Sequence, residues 1–219
     1  MLDLAVLANQ CAPEVAPQVL ERLMKVESSF NPYAIGVVGG RLARQPRHKE
    51  EAIATAQYLE QAGWNFSLGL GQVNRHNLDK YGLDYETVFD PCHNARAAAG
   101  IFNECLRRAS VKFSPQQAEL AAFSCYYSGN FRRGFLPEGQ AQTSYVDRIM
   151  AVKPTLTVGN IAPIAVIPDG KSRPSAKASV AKENRQTPPG AKLSQIAGAS
   201  SPRGVKSLRG DYPGPACNL

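Results

Sequence analysis

Residues 23–32 read Leu-Met-Lys-Val-Glu-Ser-Ser-Phe-Asn-Pro, and the way this run ends a helix frames the rest of the chain. Pro32 excludes the α region for Asn31, and both Asn31 and Ser29 favour turns, so the helix stops within a few residues of Glu27. A carboxylate in the last helical turn faces the negative end of the macrodipole, which costs roughly a few tenths of a kcal/mol when exposed and more when buried. That placement is poor for stability. It suits a carboxyl group that holds its proton near neutral pH, because dipole and burial both raise its pKa. An ordinary solvated glutamate on a frayed helix end is the alternative.

Upstream, Pro13 to Ser28 reads as one amphipathic helix with Val15, Val19, Leu20, Leu23, Met24 and Val26 on its apolar face. Downstream, AIGVVGGRLARQP (34–46) has β-branched residues and a Gly-Gly pair, which predicts a small hairpin or irregular β excursion. His48 to Ala62 predicts a helix with Ile53, Ala56, Tyr58 and Leu59 inward. WNFSLGLGQVN (64–74) reads as a loop too apolar for solvent, with a short helix following near Arg75–Lys80. Further helices are expected from Pro91 to about Arg108, from Pro115 to about Tyr127, and near Ser144–Ala151. The pattern is an α+β domain, mostly helical.

Charge divides the chain. Residues 1–150 hold 15 Lys+Arg against 15 Asp+Glu, while the remainder holds 10 against 3 and so supplies all of the +7. The body has no basic bias toward phosphate, so nucleic acid is not an expected partner. Residues 151–219 contain nine prolines, seven glycines and seven serines with one aromatic, Tyr212, a composition that predicts disorder. Within it, LTVGNIAPIAVIP (156–168) is an apolar island. No run approaches the roughly 18 apolar residues of a membrane span. The start, MLDLAVLANQC, has no basic residue ahead of its apolar stretch and leaves any export route unexplained.

Cys11, Cys92, Cys105, Cys125 and Cys217 fit no zinc spacing. They permit two disulfides in the body, suited to the periplasm, or reduced buried thiols. Helix direction suggests a pairing. A single first helix would leave Cys11 roughly 24 Å from Glu27, near Cys105 if the helix after Asn94 runs away from the site, with Cys92 near Cys125. The expected disulfides are therefore 11–105 and 92–125. His48, His76 and His93 show no ligand spacing, so neither a metal nor a cofactor is expected.

Three motifs follow in order: Glu27-Ser28, then Gly69-Leu70-Gly71-Gln72-Val73-Asn74, then Ala122-Phe123-Ser124-Cys125-Tyr126-Tyr127-Ser128-Gly129-Asn130, with Tyr145-Val146 behind them. This series resembles the soluble lytic transglycosylase family of the lysozyme superfamily, most closely the specialised transglycosylases that accompany type IV secretion systems. The resemblance covers about residues 11–150. It implies a lysozyme-like domain, placed at 1–152, and says nothing of the basic tail at 153–219, which composition alone marks off. It further implies cleavage of the MurNAc-β-1,4-GlcNAc bond in peptidoglycan to leave 1,6-anhydro-MurNAc, in the periplasm, beside secretion-channel subunits. Two positions depart from the family pattern. Gly71 stands where the family has Met, which suggests a looser sugar groove, and Tyr127 stands where it has Asn.

The chemistry agrees with that expectation. Leaving-group protonation requires a carboxylic acid of elevated pKa, here Glu27. A hydrolase adds a second carboxylate about 5–9.5 Å away. Asp79, Asp84, Glu86 and Asp90 read as solvated or helix-capping instead. An intramolecular attack by the muramic acid 6-hydroxyl needs no second acid. Gln72 and Asn74 could donate to sugar hydroxyls and acetamido groups, or simply satisfy a tight turn. Tyr126 and Tyr145 could position Glu27, stack on sugars, or fill core. Ser28 supports the helix end or touches Glu27, and Trp64 reads as a core anchor ahead of a sugar-stacking ring. A muramidase using water and a non-catalytic wall-binding assembly factor are the competing expectations.

Overall fold

A computed structural model describes residues 4–155. The expected tail beyond Thr155, with its apolar island, lies outside these residues. Among the described residues are six α-helices, α1 (Leu4–Cys11), α2 (Pro17–Ser28), α3 (Lys49–Gln61), α4 (Pro91–Ser110), α5 (Pro115–Ser128) and α6 (Tyr145–Ala151), and three short strands, β1 (Ile35–Val37), β2 (Phe66–Leu68) and β3 (Val73–Asn74).

The helix expected from Pro13 is in fact two. Pro17 has no N–H to give the carbonyl of residue 13, so a helix begun at Pro13 would break there. Instead α2 starts with Pro17 in its first turn. The stretch Leu4–Cys11 forms α1 and buries Leu7, Ala8 and Cys11.

The expected β excursion supplies one strand, and its partner comes from far along the chain. Antiparallel pairing sets Ile35 against Leu68 and Val37 against Phe66, and then Leu68 against Val73. The loop read at 64–74 thus contains two strands. The far arm of the expected hairpin does not form, since Pro46 cannot donate to a ladder. The Gln45 side-chain amide takes its place: Oε1 accepts from the Ile35 N–H at 2.8 Å and Nε2 donates to the Ile35 carbonyl at 3.0 Å.

In α3, Ala52, Ala56 and Leu59 are buried, but Tyr58 is 67% exposed rather than inward. It stands two residues from Ala56, on the opposite side of the helix. Trp64 is not a core anchor either; it is 42% exposed and lies over Gly40. Arg75–Asn77 and Asp79–Tyr81 form two 3-10 turns where one short helix was expected. Asp84 accepts from the Glu86 and Thr87 N–H groups, and Asp90 caps α4 by accepting from those of Cys92 and His93.

The core is organised around α4, which packs against α1, α2, α5 and β3. Its buried alanines, Ala95, Ala97, Ala98 and Ala99, let neighbouring backbone come close, while Phe102 packs on Phe123 of α5 with centroids 5.0 Å apart. Beyond α6 the chain returns along α2, where the Thr155 N–H and hydroxyl both donate to Glu21.

The disulfides are Cys11–Cys92 and Cys105–Cys125, which corrects the expected 11–105 and 92–125. The error follows from the first helix. Cys11 ends α1, a separate helix packed on α4, and meets the N-terminal turn of α4 at Cys92. The 14-residue α5 turns back along the 20-residue α4 and ends too soon to bring Cys125 to Cys92.

Constraining the unfolded chain across separations of 81 and 20 residues stabilises the fold by about 4.5 and about 3 kcal/mol in the loop-entropy account. Non-reducing peptide mapping should recover 11–92 and 105–125 linkages. Removing Cys11–Cys92 by paired serine substitution should lower Tm by roughly 9–18 °C, more than removing the shorter loop.

Candidate active site

The last turn of α2 presents Glu27, and two features fix how it does so. Ser29 and Phe30 both adopt positive φ, 52° and 65°, a conformation that costs about 1–3 kcal/mol for each non-glycine residue. Their N–H groups donate back to the Lys25 and Met24 carbonyls at 3.1 and 3.2 Å. The Ser28 hydroxyl also donates to the Met24 carbonyl, at 3.1 Å. Asn31 then closes an Asx turn by accepting from the Tyr33 N–H at 3.0 Å. The helix therefore ends sharply, and its final carboxylate cannot drift out with a fraying terminus.

Glu27 is only 3% exposed. Its Oε1 accepts from the Tyr145 hydroxyl at 2.5 Å, joining residues 118 apart in sequence. Burial raises the carboxyl from 4.5 to about 7, opposed by the Tyr145 hydrogen bond and the charge of Arg148. Desolvation wins, so the acid is poised near neutral pH.

The second motif is the hairpin turn between β2 and β3. Gly69 sits at φ 77° and Gln72 at φ 50°. The Ala34 carbonyl, seven residues past Glu27, accepts from the Gly69 N–H at 2.8 Å and from Gln72 Nε2 at 3.1 Å. Gln72 Nε2 also donates to the Gly69 carbonyl at 2.9 Å. The turn is thus docked on the segment that follows Glu27, and the Gln72 amide nitrogen holds it there. Asn74 is fully buried: its Nδ2 donates to Asn65 Oδ1 at 2.9 Å, and its Oδ1 accepts from the His76 N–H at 3.1 Å.

Tyr126 is 1% exposed and donates to the Gly71 carbonyl at 2.5 Å. A Cβ at Gly71 would lie 2.5 Å from Ala98 Cβ and 3.0 Å from the Tyr126 hydroxyl. Gly71 therefore faces α4 and α5 at close approach. The departure from Met fits a tighter seat for the turn rather than a looser groove.

Asn94, seen in the sequence only as a helix opener, has a larger part. Its Oδ1 accepts from the Gly71 N–H at 2.7 Å, and its Nδ2 donates to the Leu68 and Val88 carbonyls at 3.0 and 2.8 Å. One buried amide satisfies three backbone groups of the turn and its neighbours. Glu138 and Arg148 were also missed; Tyr127 donates to Glu138 and stacks on Tyr145. No motif marks these residues. Among the described residues no group of three or more His, Cys, Asp or Glu could hold a metal ion, and no helix is long and apolar enough to cross a membrane.

A mostly helical domain with a small three-stranded sheet, and a buried glutamate at a helix end under a tyrosine, is the arrangement of a lysozyme-like glycan-cleaving protein. Residues 5–134 match the Transglycosylase SLT domain, and the chain belongs to that family. It is 51% identical over 191 residues to the type IV secretion system protein virB1 of Brucella suis biovar 1, covering 86% of this chain and 78% of that protein. The virB1 protein of Brucella melitensis biotype 1 matches over the same shares at the same identity. Protein virB1 of Agrobacterium fabrum is 30% identical over 132 residues, 58% of this chain and 52% of its own length. No solved structure matches the chain significantly.

Substitution at the turn should read out its construction. Asn94→Leu strands three buried backbone groups and should lower stability by about 3 kcal/mol or more, a Tm loss of roughly 6–12 °C. Gly71→Met should also destabilise, by about 1–3 kcal/mol of overpacking. A thermally neutral Gly71→Met would contradict the packing described here.

Proposed function

We propose that this chain is a peptidoglycan lytic transglycosylase in which Glu27 alone serves as acid and then base, opening the cell wall locally for a type IV secretion apparatus. The observation that carries the reading is the buried Glu27 carboxyl, held under the Tyr145 hydroxyl, with burial raising its pKa to about 7. Protonated Glu27 gives its proton to the glycosidic oxygen between MurNAc and GlcNAc as the C1–O bond breaks. The resulting carboxylate then takes the proton of the MurNAc 6-hydroxyl as that oxygen bonds to C1. The product is a 1,6-anhydro-MurNAc end, no water is consumed, and Glu27 recovers its proton. Nucleophile and electrophile share one sugar, so proximity supplies much of the rate.

Several carboxylates among the described residues are engaged elsewhere rather than standing ready as the second acid of a hydrolase. Glu138 accepts from Tyr127, and Asp84 and Asp90 accept backbone N–H groups. Tyr145 orients the acid and stabilises its ionised form. In our reading Gln72 and Tyr126 shape the wall of the glycan site, while Ser28 and Asn74 hold the backbone behind it. The working domain is residues 1–152, and 153–219 is a basic tail suited to secretion-channel subunits or acidic wall polymers. A match over 86% of the chain cannot fit within its first 152 residues, so the likeness to the Brucella proteins runs into that tail. Two disulfides among the body cysteines favour work in the periplasm.

Mass spectrometry of digested muropeptides should find anhydro ends; reducing ends would point to a hydrolase and overturn the transglycosylase reading. Glu27→Gln should lower the rate by about 10²–10⁴-fold. For wild type, kcat/KM should fall as pH rises through about 7, since the acid form is the donor. The same proton is held more tightly by the folded chain than by the unfolded one. Its stabilisation is present below pH 4.5 and is lost as pH rises through about 7. Glu27→Gln should therefore melt higher than wild type at pH 8 while remaining inactive.

A further inference from the structure

Four side chains close a ring of contacts around the tyrosine that holds Glu27. The Tyr145 ring stacks on Tyr127, with centroids 4.5 Å apart and planes 13° from parallel. The Tyr127 hydroxyl donates to Glu138, whose carboxylate oxygens lie at 2.8 and 2.7 Å. Glu138 lies 3.8 Å from Arg148, and the Arg148 guanidinium returns to the Tyr145 ring, 5.7 Å from its centroid. The members come from α5, from the segment before α6, and from α6 itself.

Each link has a backbone anchor. Tyr126, the neighbour of Tyr127, is bonded to Gly71, so the end of α5 cannot rotate freely. The Glu138 N–H donates to the Thr143 carbonyl at 3.1 Å, which fixes the carboxylate that receives Tyr127. Ser144 and Asp147 form a capping box that sets the start of α6 and hence Tyr145. Burial and the Glu138 charge hold the Tyr127 phenol well above its ordinary range, against Arg148 and Arg133, so it remains a donor.

We propose that Tyr127 and Glu138 are positioning residues for the Glu27–Tyr145 pair: Tyr127 sets the plane of the Tyr145 ring, and Glu138 both fixes Tyr127 and balances the charge of Arg148 beside Glu27. The proposal rests on Glu27 being the acid. Its logic is a contest of two influences. Tyr145 must lie close enough to support the carboxylate once the proton has gone. Arg148 must not be so unbalanced that it strips the proton before the substrate arrives. The stack holds the tilt of the Tyr145 ring and with it the approach of its hydroxyl to Glu27, and misplacement by about 1 Å can cost about 10²-fold in rate.

The test compares pH profiles of kcat and KM on purified peptidoglycan for wild type, Tyr127→Leu, Tyr127→Phe, Glu138→Gln and Glu27→Gln. Tyr127→Leu should lower kcat about 10–100-fold with KM changed less than about twofold. Its alkaline limb should move to higher pH, because Glu27 loses support for its ionised form. Tyr127→Phe, which keeps the stack, should recover most of that loss. Glu138→Gln should move the limb the other way, to lower pH, because Arg148 is left unbalanced. These opposite displacements are not what a general loss of stability would produce. Limbs that coincide with wild type, or that move together, would overturn the proposal, and Glu138→Gln decides it even if Tyr127→Leu fails to fold. An active Glu27→Gln would instead refute the acid assignment.

Discussion

Everything in this domain answers to one constraint: a carboxyl group is kept out of water at a helix end, with a phenol as its hydrogen-bond partner. Burial of Glu27 works against the ionised form, and the Tyr145 hydroxyl and Arg148 work for it. Burial prevails but is partly offset, which leaves the group near neutrality, where it can both give and receive a proton. The arrangement is unfavourable for stability at alkaline pH. Two disulfides and a core threaded by α4 offset that cost.

The end of α5 ties the two halves of the site together. Tyr126 reaches the turn between β2 and β3 through Gly71, and the next residue, Tyr127, reaches the glutamate side through Tyr145. Adjacent residues on a helix point about 100° apart, so one helical turn can hold both structures at once. The turn is in turn docked on Ala34, in the segment that leaves Glu27. Acid, turn and phenols therefore form one closed circuit of contacts, and Cys105–Cys125 fixes the helix that closes it.

Much of this was legible in the residues, and the reasons for the rest are specific. The helix stop after Glu27 was readable because Asn31 and Pro32 are local signals. Helices α3 to α6 were readable from proline, capping residues and apolar period. The start of α2 was misplaced because Pro13 and Pro17 both suit a first turn, and only the second is compatible with the helix that follows. That single error carried into the disulfides, since Cys11 was assigned to the wrong helix. The sheet was obscure because β1 finds its partner some thirty residues away, while Gln45 substitutes for a strand with a side chain. Asn94 and Glu138 left no mark as site residues because their partners are distant and no periodic pattern records them, while Tyr127 stood out only as a departure from the family motif. Tyr145 lies beyond residues 5–134 that match the family, and it was visible only through the order of motifs.

The account stands or falls on the proton at position 27. Carbon-13 NMR of the glutamate carboxyls, assigned by comparison with Glu27→Gln and titrated from pH 4 to 9, measures it directly. The structure predicts a Glu27 midpoint at about 7. A midpoint at the ordinary value of 4.5 would mean a solvated carboxylate, and the acid role would be lost with it.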